Sequence, residues 1–322
     1  MYPQFPLPTN CLPGYSFNQI SNSLIEIIYE FPSPTAESDI KFSYNKDNNS
    51  IFLAITNQDD PILCGVLTNP INDATPLFSE SAYKITLSFD PSEENSWDLL
   101  IKASSNTGID PKSEFLLGAE ANNKQNYEEA FKLISSAAEK KYIPAMQALI
   151  DIYSLEESPY KDHYNLEEST KILKQLFDMT EDPDAGVRLA TIYRSLKHPE
   201  EAKQILERCA DKSDEAKLML AVILSPLTGE LNEPERAVQI LRELADNNSM
   251  EAISALIPHY QKGVGTPVDL NEVKRLKREL IRMQSRRFGQ EHKNIFIGLA
   301  AAAVVCASAV GIALFLRRRG HK

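Results

Sequence analysis

The chain has 322 residues, 43% of them apolar, and a formal net charge of −11. An acidic chain argues against a nucleic-acid partner, and Cys11, Cys64, Cys209 and Cys306 lie far apart without metal-ligand spacing, so they read as reduced, unpaired thiols. From Asp269 onward 12 Lys and Arg face 4 Asp and Glu, while 22 face 41 before it, so an acidic body (−19) precedes a basic end (+8) and favours basic partners.

The opening MYPQFPLPTN contains prolines but no positive n-region and no apolar core, so no secretory signal is expected and residues 1–14 read as a flexible lead. Period-two alternation follows. Ile25, Ile27, Tyr29 and Phe31 alternate with Glu26, Ile28 and Glu30, and Tyr83, Ile85, Leu87 and Phe89 alternate with Lys84, Thr86 and Ser88. Between them, IKFSYNKDNNSIFLAIT reads as two strands around an Asp-Asn-Asn turn, and PILCGVLTNPI adds a strand that stops at Asn69-Pro70. The pattern predicts a small antiparallel β-sandwich over 15–110.

In the order GYSFNQ, EIIYEFP, SIFLAITNQDDPILCGVLTNPI, YKITLSFD and SWDLLIKAS, this stretch resembles a CS domain, the sandwich shared by small heat-shock proteins and several co-chaperones. The resemblance implies that Gly65 and Leu67 form the Gly-x-Leu strand, that Phe17 and Gln19 belong to the opening motif, and that Trp97 closes the last strand. Phe17 and Asp98 stand where that family often carries tryptophan. Trp97 reads as a core residue first and a contact residue second.

After Pro111 the period becomes helical and repeats. AMQALIDIY, AGVRLATIY, AKLMLAVIL and AISALIPHY begin at Ala145, Ala185, Ala216 and Ala252, each with Leu four residues on and Tyr or Leu eight on. Companion helices align at Ala130, Ser169, Ala202, Ala237 and Val273, with spacings of 39, 33, 35 and 36 residues. Small residues let paired helices approach, and Ile134, Leu173, Leu206 and Leu241 are expected to fill the seam. Five hairpins are expected over 113–285. The array resembles tetratricopeptide repeats, and YQKGVGTPVDLNEVKRL is similar to their Sel-like branch, in which Gly263 and Gly265 would be turn glycines.

That resemblance implies a peptide-binding groove lined by the first helix of each hairpin. Its register places Phe115, Ala119 and Asn122, then Gln147 and Asp151, then Val187, Thr191 and Arg194, then Leu218 and Val222 inward. A clamp for acidic chaperone C-termini would carry Lys and Asn where Phe115 and Ala119 stand. A mainly apolar groove on an acidic body suits a basic amphipathic segment such as an organelle-targeting presequence, or the same residues simply pack against neighbouring helices. His163, His198, His259, His292 and His321 read as isolated, and Glu128-Glu129 and Glu200-Glu201 suit helix N-termini, so no enzyme, cofactor or metal site is expected.

Residues 286–294 form a basic juxtamembrane segment, preceded by EVKRLKRELIRMQS, which reads either as a lipid-facing stretch or as a solvated helix face. Ile295 to Leu316 is an uncharged run of 22 residues, about 33 Å as a helix, and is expected to be a single transmembrane helix. Ala303, Ala307 and Gly311 have the spacing of packed membrane helices, which an Ala-rich run also shows by chance. Only residues 317–322, with Arg317, Arg318 and Arg319, follow, so the span is expected to be a tail anchor with the bulk of the chain facing the cytosol.

A CS-like sandwich, tetratricopeptide-like repeats and an anchor with a basic end, in this order, resemble the tail-anchored receptor subunits of the outer-membrane protein translocase of hydrogenosomes, which are mitochondrion-derived organelles. The resemblance implies an α+β multidomain receptor that binds basic presequences or unfolded segments of preproteins beside a β-barrel pore and other translocase subunits. Arg317 to Arg319 would then direct targeting to a mitochondrial-type outer membrane. An adaptor for organelle fission or endoplasmic-reticulum quality control, in the endoplasmic reticulum membrane for the latter, and a membrane-tethered co-chaperone are the other readings.

Overall fold

The computed structural model describes residues 13–56, 58–91 and 97–285, so the expected lead before Pro13, the juxtamembrane segment, the span and Arg317 to Arg319 lie outside the described residues. Among the described residues no helix is long and apolar enough to cross a membrane.

The alternating stretches form two four-stranded antiparallel sheets. One has the order β1 (Ser16–Ser21), β2 (Leu24–Glu30), β7 (Ala82–Ser88), β6 (Asp73–Phe78). The other is β3 (Ile40–Asn45), β4 (Ser50–Ile55), β5 (Leu63–Leu67), β8 (Ile101–Ala103). Ile25, Ile27, Ile85 and Leu87 from the first sheet meet Ile51, Leu53, Leu63 and Leu67 from the second in one buried core. Trp97 joins it, with its ring 5.6 Å from that of Phe89. Gly65 in β5 has φ +151°, and a Cβ there would stand 2.4 Å from Ile101 Cγ2 and 2.9 Å from the Ala103 carbonyl, so only glycine lets β8 close on β5.

β6 does not alternate and contains Pro76, yet it pairs along its length with β7. Proline lacks an N–H, and an edge strand leaves one side unpaired, which is where such a sequence can stand.

Helices follow from Pro111. They are α1 (Pro111–Asn123), α2 (Tyr127–Glu139), α3 (Ile143–Ser154), α4 (Leu166–Thr180), α5 (Pro183–Ser195), α6 (Pro199–Cys209), α7 (Asp214–Leu224), α8 (Pro234–Asp246), α9 (Met250–Lys262) and α10 (270–285). Asp110, Ser213 and Ser249 cap α1, α7 and α9 through their side chains, and proline opens α1, α5, α6 and α8. Ala130, Ser169, Ala202, Ala237 and Val273 are all buried, as are Ile134, Leu173, Leu206 and Leu241, so the helices pair along the expected seam. Ser169 replaces alanine without leaving a buried hydroxyl unpaired: its Oγ donates to the Ile150 carbonyl (3.2 Å) and lies 2.8 Å from Ser154 Oγ.

The described residues fall into two compact units that divide between Thr180 and Glu181. The division falls inside the helical array, and α1 is built into the sandwich. Asp110 accepts hydrogen bonds from the Cys64 and Ser113 N–H groups (3.0 and 2.8 Å).

Candidate functional site

The expected groove residues separate into three groups. Phe115 and Ala119 do not face solvent, which corrects their assignment to a groove. Both are buried, and the Phe115 ring packs 5.7 Å from that of Tyr142. The register of an internal repeat fails at α1 because its neighbour on one side is the sandwich, so residues around most of the helix are buried. Asn122 is half-buried and accepts a hydrogen bond from the Tyr160 hydroxyl at 2.7 Å, a contact that anchors the loop before α4.

On α3, Gln147 is exposed and Asp151 half-buried, four residues apart and so on one face. They are the accessible members of the set in the first unit.

In the second unit α5 and α7 present the remaining five. Val187 is half-buried and Thr191 exposed; Thr191 Oγ1 donates to the Val187 carbonyl at 2.8 Å and reaches Met219 Sδ at 3.7 Å. Val222 and Leu218 are half-buried on α7, Leu218 packing partly on the core shared with α8 and α9. Arg194 closes this face through an ion pair with Glu230 at 3.6 Å. Val187, Thr191, Met219 and Val222 therefore make a partly apolar surface with a charged pair at its rim. Met219 was not expected there; it stands three residues before Val222, the spacing of one helical face, and an unbranched thioether adapts to varied side chains.

The histidines are not all isolated, which corrects that expectation. His198 Nδ1 lies 3.2 Å from Glu201, and His163 Nε2 lies 3.5 Å from Glu128 while its ring stacks on Phe131 at 3.6 Å. His259 forms a buried Ser–His pair, Nε2 to Ser225 Oγ at 3.0 Å. Its Nδ1 is 2.8 Å from the Val264 carbonyl, so Nδ1 carries the proton and Nε2 accepts from the serine. Ser225 Oγ in turn accepts the Leu227 N–H at 3.1 Å. With no carboxylate orienting the imidazole, the pair locks two turns together and has no nucleophile's geometry. Ser225 and His259 are 34 residues apart, which hid the pair from motif reading. His292 and His321 lie outside the described residues.

Cys64 and Cys209 are buried free thiols, and burial pushes the Cys209 thiol up from its usual range. Cys11 and Cys306 lie outside the described residues. Among the described residues no cluster of three or more potential metal ligands occurs.

No family model and no curated protein matches the chain. Solved structures do. A Sel1 repeat protein from Oxalobacter formigenes is 21% identical over 53% of this chain and 73% of that one, with a TM-score of 0.43. The c5321 protective antigen of uropathogenic Escherichia coli, which displays an SLR fold, is 19% identical over 58% of this chain and 41% of its own, with a TM-score of 0.41. The CS domain of the human KIAA1068 protein is 18% identical over 33% of this chain and 81% of its own, with a TM-score of 0.24. The sheets and hairpins described above stand without these likenesses.

Proposed function

We propose that this protein is a tail-anchored receptor of an organelle outer-membrane protein translocase, of the hydrogenosomal or mitochondrial type, that holds basic presequences on the cytosolic face. The observation that carries the reading is the accessible apolar surface of Val187, Met219 and Val222, set on an acidic body. An amphipathic basic helix buries its apolar side on such a surface, and the negative field raises its encounter rate.

The order of sandwich, array and uncharged run at 295–316 supports the membrane attachment and the assignment to a translocase. A scaffold that recruits a single folded partner is the competing reading, and binding breadth separates them. The test is fluorescence anisotropy of the full-length protein in detergent with several unrelated basic amphipathic presequences and one acidic control peptide. A receptor binds the basic set weakly, loses binding as salt rises, and ignores the acidic peptide. No binding to any member of the set contradicts the reading.

A further inference from the structure

α10 buries one face and leaves the opposite one without a protein neighbour among the described residues. Val273 and Leu276 are buried, and Leu280 and Met283 pack against the core made with α8 and α9. Residues on the far side recur at helical spacing: Leu270, Lys274, Arg278 and Ile281, with Arg282 beside them. Two of these are aliphatic and strongly exposed, Leu270 at 60% and Ile281 at 62%. Lys274 is exposed and makes no ion pair among the described residues, whereas Arg275, on the flank, is held by Glu272 and Glu279 at 2.7 and 3.1 Å, and Arg282 lies 4.0 Å from Glu279 at 63% side-chain exposure. Arg275, Arg278, Glu279 and Arg282 line a shallow cleft of about 250 Å³.

The helix carries five basic residues against two glutamates, in a chain whose residues before Asp269 are strongly acidic. Exposed aliphatics set among cations are the composition of a helix lying in a lipid headgroup layer.

We infer that this outward face of α10 seats on an anionic bilayer surface, Lys274, Arg278 and Arg282 meeting lipid phosphates while Leu270 and Ile281 enter the headgroup layer. The inference rests on the membrane attachment proposed above. If 295–316 spans the bilayer, the nine residues between the end of α10 and that run reach at most about 36 Å even fully extended, which keeps the helix near the surface. Each cation near an anionic leaflet contributes about 1 kcal/mol, and the same charge excludes basic presequences from this face. Repulsion of the acidic body from the leaflet favours α10 as the side turned toward it.

The test uses the full chain reconstituted into vesicles of phosphatidylcholine, alone or mixed with phosphatidylserine, with bromine on the acyl chains as a quencher. Ile281→Trp supplies a reporter at an exposed position; the chain's one natural tryptophan, Trp97, is buried in the sandwich, and the parent protein serves as the blank. Quenching at 281 is expected to be at least about twofold stronger in the mixed vesicles. It should fall to the phosphatidylcholine level in high salt, and also when Lys274, Arg278 and Arg282 are replaced by glutamate. Equal quenching in the two vesicle types overturns the inference, as does a 281 signal that responds to RNA or to self-association and not to phosphatidylserine. Flotation with phosphatidylcholine vesicles reports the apolar run alone, and the anisotropy titration reports presequence binding, so failure of the anchor, the receptor reading or this face is told apart.

Discussion

The hydroxyl of Tyr15 lies 2.8 Å from Ser113 Oγ, 98 residues along the chain, and ties the approach to β1 into the first turn of α1. Lys112 reinforces the contact by donating to the Tyr15 carbonyl at 2.5 Å, with its ammonium 5.0 Å from the Tyr15 ring centre. Sandwich and first helix consequently share one buried polar joint. Asp110→Ala removes the acceptor for two buried N–H groups and leaves the Lys112 charge without its counter-ion. The expected loss is about 2–4 kcal/mol, read from urea unfolding of the full chain in detergent by Trp97 emission.

The same joint predicts a pH dependence. Burial pushes the Asp110 carboxyl up from 3.8 to about 6, against its hydrogen bonds and Lys112, and pulls the Lys112 ammonium down from 10.5 to about 8. Between pH 4 and 6 the folded protein binds more protons at Asp110 than the unfolded chain, so stability falls as pH rises through that window, by up to about 3 kcal/mol. Between pH 8 and 10.5 the unfolded chain holds the extra proton at Lys112, and stability recovers as pH rises. Unfolding midpoints of the parent and Asp110→Asn proteins across pH 4–6 isolate the acid limb: the advantage of the parent should shrink steadily toward pH 6. A constant difference would contradict it.

Gly65→Ala should destabilise the sandwich by about 2–3 kcal/mol, because the added methyl meets Ile101 and the Ala103 backbone together. Thermal unfolding followed at Trp97 measures it.

Tight helix connections impose left-handed backbone on residues other than glycine, among them Gln125, Lys141 and Lys197 (φ 63°, 58° and 65°). Lys197 is exposed, and Lys197→Gly should stabilise the second unit by about 0.5–1 kcal/mol, the steric relief exceeding the entropy cost of glycine. Circular dichroism during urea titration reads the shift.

Core and proposed binding surface separate by mutation. Phe115→Ala should cost about 3–5 kcal/mol of stability, since it empties a buried site. Val187→Asp, at a half-buried position, should instead leave the fold in place and weaken presequence binding about tenfold or more, the effect of a charge on an apolar contact surface.

Much of this architecture was legible from periodicity. Ile25 and Ile27, or Tyr83 and Ile85, announce a buried strand face because successive side chains alternate, and the recurrence of small residues from Ala130 to Val273 marks the seam between paired helices. β6 was not, since Pro76 and exposed side chains erase the alternation. The binding register was legible only in part. Positions such as Gln147, Thr191 and Val222 are accessible, as a groove lining requires, whereas Phe115 and Ala119 face a packed interior that local spacing does not reveal. Ser225 and His259, or Tyr15 and Ser113, meet through tertiary packing alone, and no window of sequence contains both partners.

The central claim, a receptor docked beside a protein-conducting pore, is tested most directly by isolating the full-length protein in detergent from its own membranes and identifying its partners by mass spectrometry. The account predicts a β-barrel pore and small translocase subunits in stoichiometric amounts. Fission or degradation factors without a pore would contradict it.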